Sequence, residues 1–316
     1  MSRTVADMAA SEARSATAPA VKQPGEVLLT LVRREFWEHR ALWMAPLVVA
    51  ALLALCAAIG RVHIDVNEAS DLSSQSQQVA LFSIIQWVLA MPLYIVVMFV
   101  GSFYLLDCLY AERKDRSILF WKSLPVSDGL TVCAKLLVAL VVMPVGAFVL
   151  ALLSHAVCTA ILEARVALGS LPGILSWSTR EWLRTEAVIL LGTVFAVLWY
   201  APIAGYLLVM SAWVRRAPIL WATLPFVLGP VLEWVAFGTR YLLNFIDYRV
   251  NGIWGILGVG HLNIISKHGP HHPVGTALEV LDFRGTLTAI DLWLGLMATG
   301  ALLYAAIRIR RFRDDT

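Results

Sequence analysis

The chain has 316 residues, 59% of them hydrophobic and 15% charged, with a formal net charge of +3 and a mean hydropathy of +0.74. Soluble domains sit near about 45–50% apolar and about 25% charged, so this composition excludes an ordinary soluble domain and points to lipid. A net charge this small gives no footing for nucleic-acid binding.

Residues 1–24 are rich in Ala, Ser, Thr and Pro and lack the apolar core of a secretory signal, so they are expected to form a disordered cytoplasmic tail. Residues 25–40 follow as a short amphipathic stretch. Leu28, Leu29, Val32 and Phe36 share one helical arc, while Arg33, Arg34 and Arg40 face elsewhere. This predicts an interfacial helix whose arginines lie near anionic lipid, with Arg33, Arg34, Phe36 and Trp37 as its contact residues. The alternative is a plain extension of the first span.

A membrane span needs about 20 apolar residues as helix. Six stretches qualify within a transmembrane domain over 41–309: 41–60, 79–106, 131–161, 187–214, 218–237 and 289–307. Residues 310–316 form a second tail. The expected fold is therefore an all-α integral membrane protein with about six transmembrane helices. Between the fifth and sixth lies 238–288, where the apolar run 253–265 is broken by Gly255, Gly258 and Gly260. That run is too short for a span and is expected to form short helices dipping into the outer leaflet.

An even number of spans puts both termini on one side. The tails and the second and fourth loops hold sixteen Lys and Arg, including Arg113, Lys114, Arg215 and Arg311, against eight in the opposite, longer set. The positive-inside rule then places both termini in the cytoplasm, in a bacterial inner membrane.

The second of these loops reads LYAERKDRSILFWKSLPVSDG over 109–129. A charged cluster, Glu112, Arg113, Lys114, Asp115 and Arg116, precedes the apolar residues Ile118, Leu119, Phe120, Trp121 and Leu124. A short apolar helix outside the bilayer needs a partner or the membrane surface to cover it. This segment resembles the loop between the second and third spans of ABC-2-type transporter permeases, through Tyr110, Glu112, Arg113, Ser117, Ile118, Ser123, Leu124, Pro125, Val126 and Ser127. The pre-span helix, the six spans and the long outer region agree with that family in layout.

The resemblance implies half of a conduit that pairs with a second permease copy or paralogue and rests on two separate ATPase subunits. The loop would then be a coupling helix. Ile118, Leu119, Trp121 and Leu124 would fill a groove in the ATPase, and Glu112, Arg113, Lys114 and Asp115 would set the register at its rim. Buried aromatic anchors carry most of such interfaces, which singles out Trp121. The chain has no G-x-x-x-x-G-K-[ST] stretch, so ATP and Mg would belong to the partner. It also has no H-E-x-x-H and no G-x-S-x-G, so no catalytic residue of its own is expected.

Several ionisable residues fall in or near the spans. Asp107, Lys135, Glu163 and Asp291 lie near span ends and are expected to reach water or headgroups. Glu233 lies in the outer half of the fifth span and is expected to serve either as a helix-end charge or as a translocation-path residue. His155 is expected to be a hydrogen-bonded packing residue. The outer His261, His268, His271 and His272 lack a carboxylate at fixed spacing, and no metal is expected there. Cys56, Cys108, Cys133 and Cys158 read as packing residues. Two other functions compete: an ion-gradient transporter using Glu233 or Asp291, and a non-transporting assembly subunit.

Overall fold

The computed structural model describes residues 24–60, 75–123, 126–169, 179–256 and 283–312. Most of the 1–24 tail, Leu124, the outer histidines, most of the 253–265 run and most of the C-terminal tail lie outside the described residues. Among the described residues every regular element is helical, and six helices are long and apolar enough to cross a membrane. The fold class is all-α integral membrane.

Helix α1, Pro24–Glu38, precedes span 1, which is α2, Ala41–Ile59. Span 2 is α3, Gln75–Asp107. Two short helices follow it, α4 over Tyr110–Lys114 and α5 over Ile118–Ser123. Span 3 starts as α6, Asp128–Leu137, widens to a π turn over Val138–Val142, and continues as α7, Met143–Ala167. The wide turn has a local cause. Pro144 has no N–H to give the carbonyl of Leu140 one turn back, so the ladder slips by one residue. Spans 4 and 5 are α8, Thr179–Trp213, and α9, Pro218–Phe237. Then come α10, Tyr241–Ile256, α11, Phe283–Thr288, and span 6, which is α12, Ile290–Phe312.

Span 4 packs most extensively on span 6, and spans 1, 2 and 3 form a second group joined to it by span 2 against span 4. The core is therefore narrow. Span 5 keeps only 6% of its apolar window buried and span 1 only 11%, so both turn most of their surface outward. In lipid such faces carry no penalty, because the tails around them are as apolar as the side chains.

Polar side chains fasten spans 2, 3 and 4 at the end away from the termini. Glu186 Oε1 on span 4 accepts from Gln86 Nε2 on span 2 at 3.0 Å and lies 2.6 Å from His155 Nδ1 on span 3. Ser83 and Thr185 meet at 3.2 Å, and Tyr94 and Thr193 at 2.7 Å. His155 is thus the hydrogen-bonded packing residue expected from sequence. At the same end Arg165 donates to the carbonyls of Ala57 and Gly60, both at 2.8 Å, and ties span 3 to the last turn of span 1.

The reversals on either side of span 5 use left-handed backbone. Between spans 4 and 5, Ala217 has φ 51° and ψ 62°, a left-handed conformation that costs a residue with a Cβ about 1–2 kcal/mol, just before Pro218 opens the next helix. After span 5, Gly238 has φ 68° and its N–H donates to the Trp234 carbonyl at 2.9 Å. Glycine takes this conformation at no steric cost. Gly238→Ala is expected to destabilise the protein by about 1 kcal/mol, read as a lowered unfolding midpoint in detergent.

Candidate functional site

Helix α1 does not lie on the bundle by its apolar arc alone. Glu35, on its inner face, is 2% exposed, while Leu29, Phe36 and Trp37 point outward at 71%, 37% and 68%. The reason is a buried ionic network at the end of the bundle that holds α1 and both tails. Lys135 Nζ on span 3 sits 2.8 Å from Glu35 Oε1 and 3.0 Å from Glu112 Oε1 on α4. Arg310 Nη1, from the last turns of span 6, donates to Glu112 Oε2. Its Nε donates to Asp128 Oδ1 at the start of span 3, at 3.1 Å. Arg34 lies 3.3 Å from Glu35 and 3.6 Å from Glu112 and donates to Glu38 at 3.0 Å. Tyr104 on span 2 donates its hydroxyl to Glu35 Oε2 at 2.9 Å.

The inner members are Glu35, Glu112 and Asp128 against Arg34, Lys135 and Arg310, so the charges balance. Five separate helices supply these groups and Tyr104. Balance of this kind is what allows Lys135, 1% exposed, to stay charged inside the protein. Lys135 therefore does not reach water from its span end, as its position in the sequence suggests. It is closed in by carboxylates from two other elements.

Span 3 begins where the loop motif ends. Ser127 caps α6, its Oγ accepting from Leu130 N at 3.2 Å, and Asp128 in the first turn meets the positive end of the helix. The motif's Ser127 is thus a helix cap in physical terms.

Arg113 faces inward as well. Its Nη2 donates to the carbonyls of Ser211 and, at 2.8 Å, Val214, which end span 4. In return Ser211 Oγ, fully buried, accepts from both Leu109 N and Tyr110 N at 3.1 Å. These are backbone donors left over where span 2 stops and α4 starts. Ser211→Ala strands two buried N–H groups at a cost of about 1–3 kcal/mol. The expected readout is faster hydrogen exchange at Leu109 and Tyr110, with little change in span 6.

The rest of the loop is turned outward. Lys114, Asp115 and Arg116 are exposed, and Arg116 has φ 56° at the reversal from α4 to α5. On α5, Phe120 is 60% exposed and Ile118 and Trp121 are half-buried. The inner face of Trp121 is covered by Arg34, whose guanidinium carbon lies 3.6 Å from the ring centroid. Phe120 meets Trp121 edge-on at 5.0 Å. The side chain of Leu119 lies outside what is described.

Of the site residues read from sequence, the structure therefore brings Arg34, Glu112, Arg113 and Trp121 together with Glu35, Lys135, Asp128 and Arg310. Glu112 and Arg113 point into the bundle and not toward a rim. Arg33 and Trp37 stay on the outer side of α1. Glu233 lies apart, at the opposite end. Its carboxylate accepts from Thr239 Oγ1, Tyr241 N and Leu242 N, each at 2.7 Å, and so caps the start of α10. That is the helix-end role of the two expected from sequence. Glu35, Glu38 and His39 lie close enough to share a metal ion. Glu35 is already engaged by Lys135, Arg34 and Tyr104, so a further cation there would upset a balanced network.

Comparison with models of known families, with curated proteins and with solved structures gives no match. The functional reading rests on this arrangement and on the loop sequence.

Proposed function

We propose that the chain is the membrane-spanning permease subunit of an ATP-driven ABC transporter, exporting or flipping its substrate across a bacterial inner membrane. The observation that carries the reading is the short helix α5. It presents Phe120 outside the spans, and its neighbour α4 is bound by Glu112 and Arg113 to spans 3, 4 and 6. A surface helix with no load would need no such anchorage. One that receives a push from a separate ATPase needs it, because the force must reach several spans at once.

On this reading two ATPase subunits, which bring ATP and Mg, dock on α5, and the permease works as a pair of copies or with a paralogue. Phe120, Trp121 and Ile118 enter the groove. Lys114, Asp115 and Arg116 take the rim, while Glu112 and Arg113, expected there beside Lys114 and Asp115, are turned into the bundle. Membrane lipid meets α1 through Leu29, Phe36 and Trp37. The wild-type chain, purified in mild detergent from its native cells, is expected to bring down a P-loop ATPase in stoichiometric amount. Transport that persists without any ATPase and collapses with the proton gradient would replace this reading with ion-driven transport.

A further inference from the structure

At the end of the bundle away from α1, the Arg249 guanidinium is held without an acceptor among the described residues. Arg249 on α10 makes no hydrogen bond and no ion pair among the described residues, and its Nη2 is buried without an acceptor. Its guanidinium stacks on Trp199 of span 4, with 4.6 Å from Cζ to the ring centroid. The backbone holds it there. Trp199 Nε1 donates to the Arg249 carbonyl and Tyr200 Oη to the Val250 carbonyl, both at 2.9 Å. Two glycines make the fit possible. A Cβ on Gly295 of span 6 would fall 2.2 Å from Arg249 Nη2, and one on Gly252 would fall 2.8 Å from the Trp199 ring. The nearby carboxylate of Asp291 accepts from Tyr248 Oη at 2.9 Å and forms no ion pair with Arg249.

Gly295 is the sixth residue of span 6, about 8 Å along the helix from Ile290, so the guanidinium sits near headgroup depth on that side. A guanidinium is always charged and carries five N–H donors. In or beside a membrane such a group needs acceptors; with Nη2 sealed against Gly295, Nε and Nη1 are the donors left for phosphate oxygens. Apolar surface suited to an acyl chain adjoins it. Phe245, one turn earlier on α10, is 62% exposed, and Trp293 and Leu294 beside Gly295 are each 56% exposed.

We propose that Arg249, seated on Trp199 between α10 and spans 4 and 6, binds the phosphate ester of an amphiphile. The group belongs either to a membrane phospholipid or to a phosphate-bearing solute. The site does not depend on a partner ATPase, and its test needs only this chain. The full chain in maltoside micelles is titrated with dioctanoyl phosphatidylglycerol and with dioctanoylglycerol, which has the same tails and no phosphate. Bound adducts are followed by native mass spectrometry.

The phosphate lipid is expected to bind about tenfold more tightly than the diacylglycerol. Arg249→Gln removes that difference and Arg249→Lys keeps part of it. Asp291→Asn, which takes away the nearby negative charge and leaves the arginine in place, is expected to tighten binding several-fold, about three to five times. It serves as the second reading should Arg249→Gln not fold. Displacement of the lipid by millimolar inorganic phosphate supports the site and assigns it to a soluble phosphate ester. Failure of phosphate to compete supports it and assigns it to lipid. Equal affinity for the two lipids in the wild type, or no response to Arg249→Gln and Asp291→Asn alike, overturns it.

Discussion

Glu112→Ala is expected to destabilise the protein by about 3–5 kcal/mol, enough to remove most folded chain at growth temperature. Glu112 holds Lys135 and Arg310 through its two oxygens, and those cations are 1% and 5% exposed. Without the carboxylate they face each other inside the protein with only Glu35 and Asp128 left to offset them. The loss is in desolvated charge, so adding salt should not repair it. Lys135→Met in the same chain should recover about half of the loss, since it removes one stranded cation and leaves Arg310 on Asp128. The check is thermal unfolding of the purified single and double variants in one detergent. A Glu112→Ala chain within about 1 kcal/mol of wild type would mean that the network is hydrated and weak.

On the proposed transporter reading, truncating the aromatic pair of α5 is expected to weaken docking of the ATPase. Removal of a central aromatic anchor costs about 2 kcal/mol or more in an interface, or about thirtyfold in affinity. The two aromatics separate two causes. Phe120 touches Trp121 and is otherwise exposed, so Phe120→Ala should weaken docking and leave the unfolding midpoint unchanged. Trp121→Ala should weaken docking further and also loosen Arg34, which stacks on its ring. A measured affinity for the ATPase that is the same in wild type and both variants would remove α5 as the docking element.

Much of the fold was open to reading because lipid sets a simple rule. A run of about 20 apolar residues with few charges has little choice but to span. The six spans are found in that way, whereas α10, Tyr241–Ile256, starts well ahead of the 253–265 run on which short outer helices were expected. Helix ends were less legible. Span 4 starts at Thr179 and span 2 at Gln75, because polar residues such as Arg180 and Glu181 continue a helix into water as readily as they end it.

The site was legible as a segment and not as a geometry. Glu112 and Arg113 stand in a charged run whose neighbours Lys114 and Asp115 are solvated, and nothing local tells the two pairs apart. What separates them is Lys135, Ser211 and Arg310, 23 to 198 positions away in sequence. Glu35 was hidden for the reverse reason. It breaks the apolar arc of α1, and a carboxylate on an inner face is stable only when its cation comes from elsewhere, here a hundred residues on.

The most direct test of the account is a photo-crosslink from α5 itself. On the proposed transporter reading, a benzophenone amino acid placed at Phe120 is expected, on irradiation of intact cells, to yield an adduct with a P-loop ATPase. The yield should fall when Trp121→Ala removes the second aromatic of α5. An adduct formed only with lipid or with proteins of the outer face would contradict the account.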